Sequence, residues 1–345
     1  MKMKQLTAGM IALVMSMSLP MTTYAADWYL EDGDVTVNAG DSGQTVTQGS
    51  TSTPDEAPVI TQRESSAETS NTITINAPEE NATANVTISN VNINTSNYTG
   101  SKSKAAVSTG GKGNVNIELD GTNTLKSGRE HAGLEKSKDG KLTITDENGN
   151  GKLIATGGDY GAGIGGGSKG NGSNITITGG EVTATGGISA SGIGGGNLGG
   201  GNNITITGGK VTATGGMFAS GIGGGYFKDG NDITITGGKV TATGGIGASG
   251  IGGGEQGNGS NITITGGEVT AAGGTNGAGI GGGLQKNGEK ITVSGDATIK
   301  VQGGPTNKWD GAGAGIGNGG SHNEDYVSGQ FTPVNGAETE PDTSN

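Results

Sequence analysis

The sequence has no cysteine, which excludes disulfides, a thiolate metal site and a thiol nucleophile. Arginine occurs only at Arg63 and Arg129, and the formal net charge is −12. An acidic chain with so few arginines argues against a protein that binds nucleic acid by neutralising phosphates. Aromatic residues make up 3% of the chain, so large rings cannot build the core. The buried side chains must therefore be Ile, Val, Leu and Ala.

Long hydrophobic runs are also missing, apart from one short run close to the N-terminus. Lys2 and Lys4 precede an apolar run over residues 11–15, and residues 23–25 place small side chains at the −3 and −1 positions of a cleavage site. This pattern predicts a secretory signal peptide over 1–25. The run is shorter than the roughly 20 residues of a transmembrane helix. We therefore expect a secreted, extracellular protein without a membrane span, or one loosely associated with a cell surface.

Glycine is abundant and follows a fixed period, with 76 glycines against 7 prolines. Three short motifs recur every 29 residues from about residue 150 onward. The ITIT motif begins at Ile175, Ile204, Ile233 and Ile262, and its variant ITVS begins at Ile291. The VTAT motif begins at Val182, Val211 and Val240, with VTAA at Val269, and the GIGGG motif contains Ile164, Ile193, Ile222, Ile251 and Ile280. Three motif series that stay in step indicate a repeat protein.

Within each repeat the apolar residues alternate with a period of two. Ile175 and Ile177 point to one side and Thr176 and Thr178 to the other, as in a half-buried strand. One such unit cannot bury its apolar face alone, but identical units stacked about 4.8 Å apart bury a continuous column. We predict an all-β fold, a right-handed parallel β-helix (β-solenoid) with 29-residue coils. The alternative is a β-sandwich or a chain of hairpins closed at the Gly-Gly steps, which the strict repeat length disfavours.

Two further columns of residues recur at the same spacing. Asn174, Asn203, Asp232 and Asn261 align, which predicts a stacked polar ladder at one corner of the coil. The second column consists of the charged residues Glu181, Lys210, Lys239 and Glu268. Exposed ion pairs of this kind contribute about 0–1 kcal/mol each. The glycine runs lack the Lys-Ser/Thr pair of a phosphate-binding loop, so we expect them to form tight corners.

The chain divides by composition into four parts. Residues 1–25 form the predicted signal peptide and residues 26–70 an N-terminal cap or linker. Residues 71–320 form the β-helix repeat domain. Residues 321–345 are polar and acidic, which is typical of a disordered tail. Uncapped solenoid ends could associate edge to edge, so self-association stays open.

Several motifs together resemble a known protein family. They are Pro58-Val59-Ile60-Thr61-Gln62, Asn116-Ile117-Glu118-Leu119-Asp120-Gly121, His131-Ala132-Gly133-Leu134-Glu135 and the serial GAGIGGG, ITITGG and VTATGG segments. The chain resembles secreted carbohydrate-binding-domain proteins of anaerobic, often gut-dwelling, Gram-positive bacteria. This resemblance implies a right-handed parallel β-helix that binds polysaccharide, with acidic, uronate-containing plant sugars and calcium as ligands. It transfers no binding site residue by residue.

The repeat at 217–232 is the richest in groups that could bind a sugar. It contains Phe218, Tyr226, Phe227, Lys228 and Asp229 where other repeats have small residues. Tyr160 aligns with Phe218 two coils earlier, and the candidate calcium ligands are Asp229 and Asp232. We therefore predict a non-catalytic, secreted carbohydrate-binding protein, with polysaccharide or glycan as its partner and calcium as the expected cofactor.

Three other functions stay open at this point. The first is a cell-surface adhesin or structural spacer, which the sequence does not separate from a sugar-binding protein. The second is a polysaccharide lyase or hydrolase. A lyase needs clustered acidic residues and a base, and no arginine follows Arg129. A hydrolase needs two facing carboxylates, but Glu181 and Glu268 lie three coils, or roughly 14 Å, apart. His131 and His322 are expected to be structural or exposed, so we predict no enzyme. The third is an ice-binding protein with flat Thr-x-Thr arrays, although threonine also favours exposed strand faces.

Overall fold

A computed structural model describes residues 26–307 and 310–320 of the chain. The predicted signal peptide, the acidic tail and His322 lie outside these residues. The described part contains thirty β-strands and two short 3-10 helices, Leu30–Asp32 and Gly100–Lys102. None of the helices described here has the length and apolar character needed to cross a membrane.

The strands, numbered along the chain, form three sheets that we name after their motifs. The ITIT sheet contains β1 (Asp27–Tyr29), β5 (Val59–Thr61), β7 (Thr83–Ser89), β10 (Asn114–Asp120), β13 (Leu142–Thr145), β16 (Ile175–Ile177), β19 (Gly201–Ile206), β22 (Gly230–Ile235), β25 (Gly259–Ile264) and β28 (Gly288–Val293). The VTAT sheet contains β8 (Asn92–Asn94), β11 (Thr122–Lys126), β14 (Lys152–Thr156), β17 (Glu181–Thr185), β20 (Lys210–Thr214), β23 (Lys239–Thr243), β26 (Glu268–Ala272) and β29 (Thr298–Gln302). The GIGGG sheet contains β2 (Val35–Gly40), β3 (Gly43–Gln48), β4 (Thr51–Pro54), β6 (Ile73–Ala77), β9 (Val107–Gly111), β12 (Leu134–Lys136), β15 (Ile164–Gly165), β18 (Ile193–Gly194), β21 (Ile222–Gly223), β24 (Ile251–Gly252), β27 (Ile280–Gly281) and β30 (Ile316–Gly317).

Neighbouring coils pair in parallel and in register, so that identical side chains lie over one another. Ile175 pairs with Ile204 in the ITIT sheet, and Ile204 pairs with Ile233 one coil later. The VTAT sheet pairs Val182 with Val211 in the same way. The structure therefore confirms the predicted all-β parallel solenoid with 29-residue coils and excludes the hairpin alternative.

The N-terminal segment over 26–70 contributes both regular coil strands and a cap. Strand β1 pairs in parallel with β5, which pairs in parallel with β7 of the next coil. Strand β2 pairs in parallel with β6, while β3 and β4 add to it as an antiparallel meander. The meander covers the edge that β2 would otherwise expose at this end of the GIGGG sheet.

Stacked aliphatic columns fill the interior of the solenoid. The isoleucines of the GIGGG column from Ile164 to Ile280 and those of the ITIT column from Ile175 to Ile262 are fully buried. Valine and alanine of the VTAT sheet complete the same cluster. Burial of each large aliphatic side chain stabilises the fold by about 1.5–3 kcal/mol. The core is therefore aliphatic along most of its length, as the shortage of aromatic residues requires.

The glycines of the GIGGG corner are required by the geometry of the stack. Gly194 and Gly223 have φ angles of +131° and +129°. A Cβ atom on Gly194 would lie 2.1 Å from the carbonyl oxygen of Gly223 in the next coil. Both the left-handed backbone and the close approach exclude a side chain here. The glycine runs are therefore corners, as predicted.

The predicted polar ladder is present, directly before β16 and near the start of β19, β22 and β25. Asn203 donates from Nδ2 to Oδ1 of Asn174 over 2.6 Å, and Asn261 donates to Oδ1 of Asp232 over 3.0 Å. All four residues have positive φ angles between 54° and 59°. Asparagine and aspartate tolerate this conformation better than other side chains, so one column of residues supports both the turn and the stacking.

The charged column on the VTAT sheet forms two separate ion pairs. Lys210 Nζ lies 2.9 Å from Glu181 Oε1, and Lys239 Nζ lies 2.7 Å from Glu268 Oε1. Lys210 and Lys239 are themselves neighbours in register. Each lysine therefore points away from the other, Lys210 toward Glu181 and Lys239 toward Glu268.

Candidate functional site

Two loops on adjacent corners bring three aromatic rings together on the surface. Phe218 lies in the loop after β20, and Tyr226 and Phe227 lie in the loop after β21. The ring centroids of Phe218 and Tyr226 are 5.3 Å apart, and those of Tyr226 and Phe227 are 3.8 Å apart. We call Phe218, Tyr226 and Phe227 the aromatic platform. The structure thus gathers three of the residues that the sequence singles out.

Backbone hydrogen bonds between coils fix the two loops. The N–H of Tyr226 donates to the carbonyl of Ser189 in the preceding coil over 3.0 Å. The N–H of Phe227 donates to the carbonyl of Glu255, and the N–H of Glu255 donates to the carbonyl of Phe218. Because each loop is tied to the coil before or after it, the platform is held by the solenoid itself.

The platform adjoins an exposed column of aliphatic side chains. Ile188, Met217 and Ile246 occupy the same position in three successive coils and are 49%, 51% and 53% exposed. Met217 directly precedes Phe218 of the platform, and Phe227 is 43% exposed. We call Ile188, Met217 and Ile246 the apolar column. A row of large exposed apolar side chains makes this face a candidate interaction surface.

Tyr160 lies away from the platform. It aligns with Phe218, but Ser189 of the intervening coil separates the two rings. The guanidinium of Arg129 lies over the Tyr160 ring, with its central carbon 5.2 Å from the ring centroid. The same guanidinium lies 3.6 Å from the carboxylate of Asp159. Tyr160 therefore forms a cation–π pair instead of extending the platform.

A groove of about 490 Å³ lies between the Arg129–Asp159 pair and the apolar column. Lys126, Arg129 and Asp159 line one part of it, and Ile188 of the apolar column lines the other. Lys126 is paired with Glu68 over 3.5 Å, just as Arg129 is paired with Asp159. The charged side chains of the groove are therefore paired, and the groove carries little net charge.

The two candidate calcium ligands both take part in contacts between coils. Asp229 Oδ1 accepts the N–H of Asn258 over 2.7 Å, and Asp232 Oδ1 accepts the side-chain amide of Asn261. Lys228 is exposed beside Asp229. Over residues 26–307 and 310–320, no three histidine, aspartate or glutamate side chains come together in a way that could hold a metal ion. Calcium binding stays a prediction.

Glu255 lies beside the platform and is not among the residues predicted from the sequence. It follows Tyr226 by one coil, and its side chain lies against Gly247, where an added Cβ would meet Glu255 Cγ at 2.6 Å. Burial raises the pKa of the Glu255 carboxyl above its usual value. Burial and then the charge of Glu255 raise the pKa of the Tyr226 hydroxyl. The 29-residue spacing from Tyr226 could have indicated this neighbour.

A separate cleft of about 330 Å³ lies on earlier coils. Its polar lining includes His131, Glu135 and Lys136. The Nδ1 atom of His131 lies 2.9 Å from Glu135 Oε2, and this hydrogen bond raises the pKa of His131. Lys136 is 5% exposed, and burial lowers its pKa to about 8. The histidine, predicted to be structural or exposed, is half-buried and held by a carboxylate.

Comparison with known proteins identifies the repeats and nothing finer. A family model described as "Beta helix repeat" matches residues 148–168, 175–197, 204–226, 233–255 and 262–284. No curated protein and no solved structure matches the chain. The platform residues Phe218 and Tyr226 fall inside the third matched segment, and Glu255 ends the fourth. Over these five coils the chain is similar to beta-helix repeat proteins.

Proposed function

We propose that this protein is a secreted, non-catalytic carbohydrate-binding protein whose binding surface is centred on the aromatic platform. The observation that carries the proposal is the gathering of Phe218, Tyr226 and Phe227 on one surface of a chain with only 3% aromatic residues. Aromatic rings are large, rigid apolar surfaces on which the C–H face of a sugar can pack. The apolar column extends this surface over three coils, and the groove begins at its Ile188.

Non-catalytic binding is supported by how the carboxylates of the VTAT sheet are used. Glu181 and Glu268 lie on β17 and β26, which are three strands apart in the sheet. Each is held by a lysine of a neighbouring coil. A glycosidase needs two carboxyl groups about 5–9.5 Å apart on either side of the scissile bond. This pair is therefore better suited to stabilising the surface than to hydrolysis.

The preference for uronate-containing polysaccharide, bridged by calcium, remains a proposal that the family resemblance suggests. Lys228 supplies one exposed cation beside the platform, and Asp229 and Asp232 could contribute oxygen ligands. A calcium-bridged complex is lost in EDTA, whereas direct contact between sugar and ring is not.

An adhesin or spacer is the second candidate, and the apolar column favours it. Three aliphatic side chains about half exposed in a row would also suit a protein partner. The Thr-x-Thr arrays predicted for an ice-binding surface do stack in register, as Thr176 over Thr205 shows. Both functions would use outward-facing side chains only, so neither requires a residue of the core.

A glycan microarray probed with the full-length chain, with and without EDTA, tests the proposal. We expect binding to at least one polysaccharide and a loss of about 10-fold or more in the double variant Phe218→Ala/Phe227→Ala, since each aromatic contact is worth about 1 kcal/mol. Tyr29→Ala, an aromatic change on β1 at the N-terminal end of the solenoid, is the matched control and should bind normally. A chain that binds no glycan would support the adhesin or spacer instead.

A further inference from the structure

Glu255 combines three properties that set it apart from the other carboxylates near the platform. Its side chain is half-buried against Gly247, and its charge contributes to the raised pKa of the Tyr226 hydroxyl. Its backbone forms hydrogen bonds with the backbones of both Phe218 and Phe227. In the described part of the chain its carboxylate has no hydrogen bond and no ion pair. Asp229 and Asp232, by contrast, use their oxygens to bind the neighbouring coil.

The position of Glu255 relative to the rings suits a particular kind of ligand. Gly247 occupies the position that Phe218 occupies one coil earlier. The platform therefore ends there without a further ring, and the Glu255 side chain packs in that space. A carboxylate has two oxygens that accept hydrogen bonds, and charge-assisted bonds of this kind are about twice as strong as neutral ones. A sugar ring packed on the exposed Phe227, whose N–H is bonded to the carbonyl of Glu255, could donate two adjacent hydroxyls to the Glu255 carboxylate.

We propose that Glu255 is the hydrogen-bonding residue of the glycan site and that it selects a neutral sugar with adjacent hydroxyl groups over a uronate. This inference rests on the proposed function, of which it keeps the platform as the glycan site and replaces the uronate preference that the resemblance suggests. A uronate on the platform would bring a second carboxylate close to Glu255, and like charges brought together in a partly desolvated site repel. The net charge of −12 adds to this repulsion.

The test is isothermal titration calorimetry of the full-length chain with cellohexaose, xylohexaose, mannohexaose and hexagalacturonate. At least one neutral hexasaccharide should bind about 10-fold or more tightly than hexagalacturonate. Glu255→Gln should weaken that neutral ligand by about 10-fold, because the charge-assisted bonds are lost. Glu255→Lys should strengthen hexagalacturonate binding. Glu289→Gln and Glu289→Lys, changes at an exposed carboxylate on β28, are the matched controls and should change neither affinity.

The outcomes separate this inference from the function on which it rests. Hexagalacturonate binding that is lost in Phe218→Ala/Phe227→Ala but unchanged in Glu255→Gln would overturn the inference and leave the proposed function intact. Failure of all three neutral probes to bind would also overturn it. A melting temperature of Glu255→Gln equal to that of the unaltered chain shows that a loss of binding is not a loss of folding.

Discussion

At the scale of single residues, Lys136 is the clearest departure from an aliphatic interior. It lies on β12, with Thr109 of the preceding coil as its paired neighbour, and its ammonium donates to the carbonyl of Lys138. Burial lowers its pKa from 10.5 to about 8. The folded protein therefore binds a proton here less tightly than the unfolded chain does, so the buried charge destabilises the fold below about pH 8.

We predict that Lys136→Met stabilises the protein at neutral pH. The gain should be on the order of 1–2 kcal/mol, less than the full pKa shift would give, because the substitution also removes the hydrogen bond from the ammonium to the carbonyl of Lys138. The unaltered chain should gain stability as the pH rises from about 8 toward 10.5, so the difference should shrink over that range. Urea unfolding at neutral and at alkaline pH measures both effects. Equal stabilities of the two chains at neutral pH would show that the buried charge has no cost.

His131 should have the opposite pH dependence. Its hydrogen bond with Glu135 raises its pKa in the folded state above 6.5, so its contribution is fully present below that value and is lost as the pH rises through the folded pKa. His131→Gln should therefore destabilise the chain by up to about 1 kcal/mol in mildly acidic solution. Above the folded pKa its effect should be smaller. Unfolding free energies measured across this range test the prediction, and a deficit independent of pH would contradict it.

At the scale of the elements, the VTAT column shows how a polar residue can join an aliphatic stack. Asn123 stands where later coils have Leu153 and Val182, and it is fully buried. Its Oδ1 accepts the N–H of Val91 over 3.2 Å, and its Nδ2 donates to the carbonyl of Lys152 over 3.3 Å. One amide thus bonds to the coil before and to the coil after its own.

Asn123→Leu should destabilise the protein, although it continues the aliphatic column. The substitution leaves a buried N–H of Val91 without its acceptor, at about 1–3 kcal/mol for such a group. Thermal unfolding should show a lower melting temperature than for Val182→Leu, which introduces the same residue at the equivalent position in the regular part of the column. The prediction is wrong if Asn123→Leu melts at or above the temperature of the unaltered chain.

Two glycine-to-alanine substitutions should differ strongly in their effect on stability, because only one of them lies at a GIGGG corner. Gly223→Ala places a Cβ 2.1 Å from the carbonyl oxygen of Gly252 on a backbone with φ of +129°. We expect a loss of more than about 2 kcal/mol, or no folded protein. Gly40→Ala has open space and an ordinary φ, so it should change stability by less than about 0.5 kcal/mol. Circular dichroism melts of the two variants compare the effects, and equal melts would contradict the close packing of the corner.

Most of these elements could be predicted from the sequence, because strict repetition fixes which residues are neighbours. The period of two separated Ile175 from Thr176, and the 29-residue spacing predicted both the columns and the polar ladder. Lys136 and Asn123 could not be predicted, since they lie in earlier coils whose spacing is irregular. Alignment alone also suggested that Tyr160 belongs with Phe218. It could not show that the Tyr160 ring pairs with Arg129 or that Glu255 lies against Gly247.

At the scale of the whole molecule, each coil contacts mainly its two neighbours, so stability should be close to a sum over coils. We predict that deletion of residues 262–290, one full period, leaves a folded chain, because Ile291 then takes the place of Ile262 after Asn261. Deletion of residues 262–289 removes one residue fewer and turns the strand that follows inside out. Cooperative unfolding of the first variant and its absence in the second is the expected result. Similar behaviour of both would contradict strict register.

The stacking of one loop position over the next has a consequence for how this surface can evolve. One loop position carries side chains of different chemistry in successive coils, while the buried isoleucines of the GIGGG column do not change. The residues at this position are Ser168, Asn197, Tyr226, Glu255 and Leu284. Such positions recur about every 4.8 Å along the axis, a step close to the length of one sugar unit. A substitution at one such loop position can therefore change the chemistry of the surface in a single coil while the stacked core stays the same.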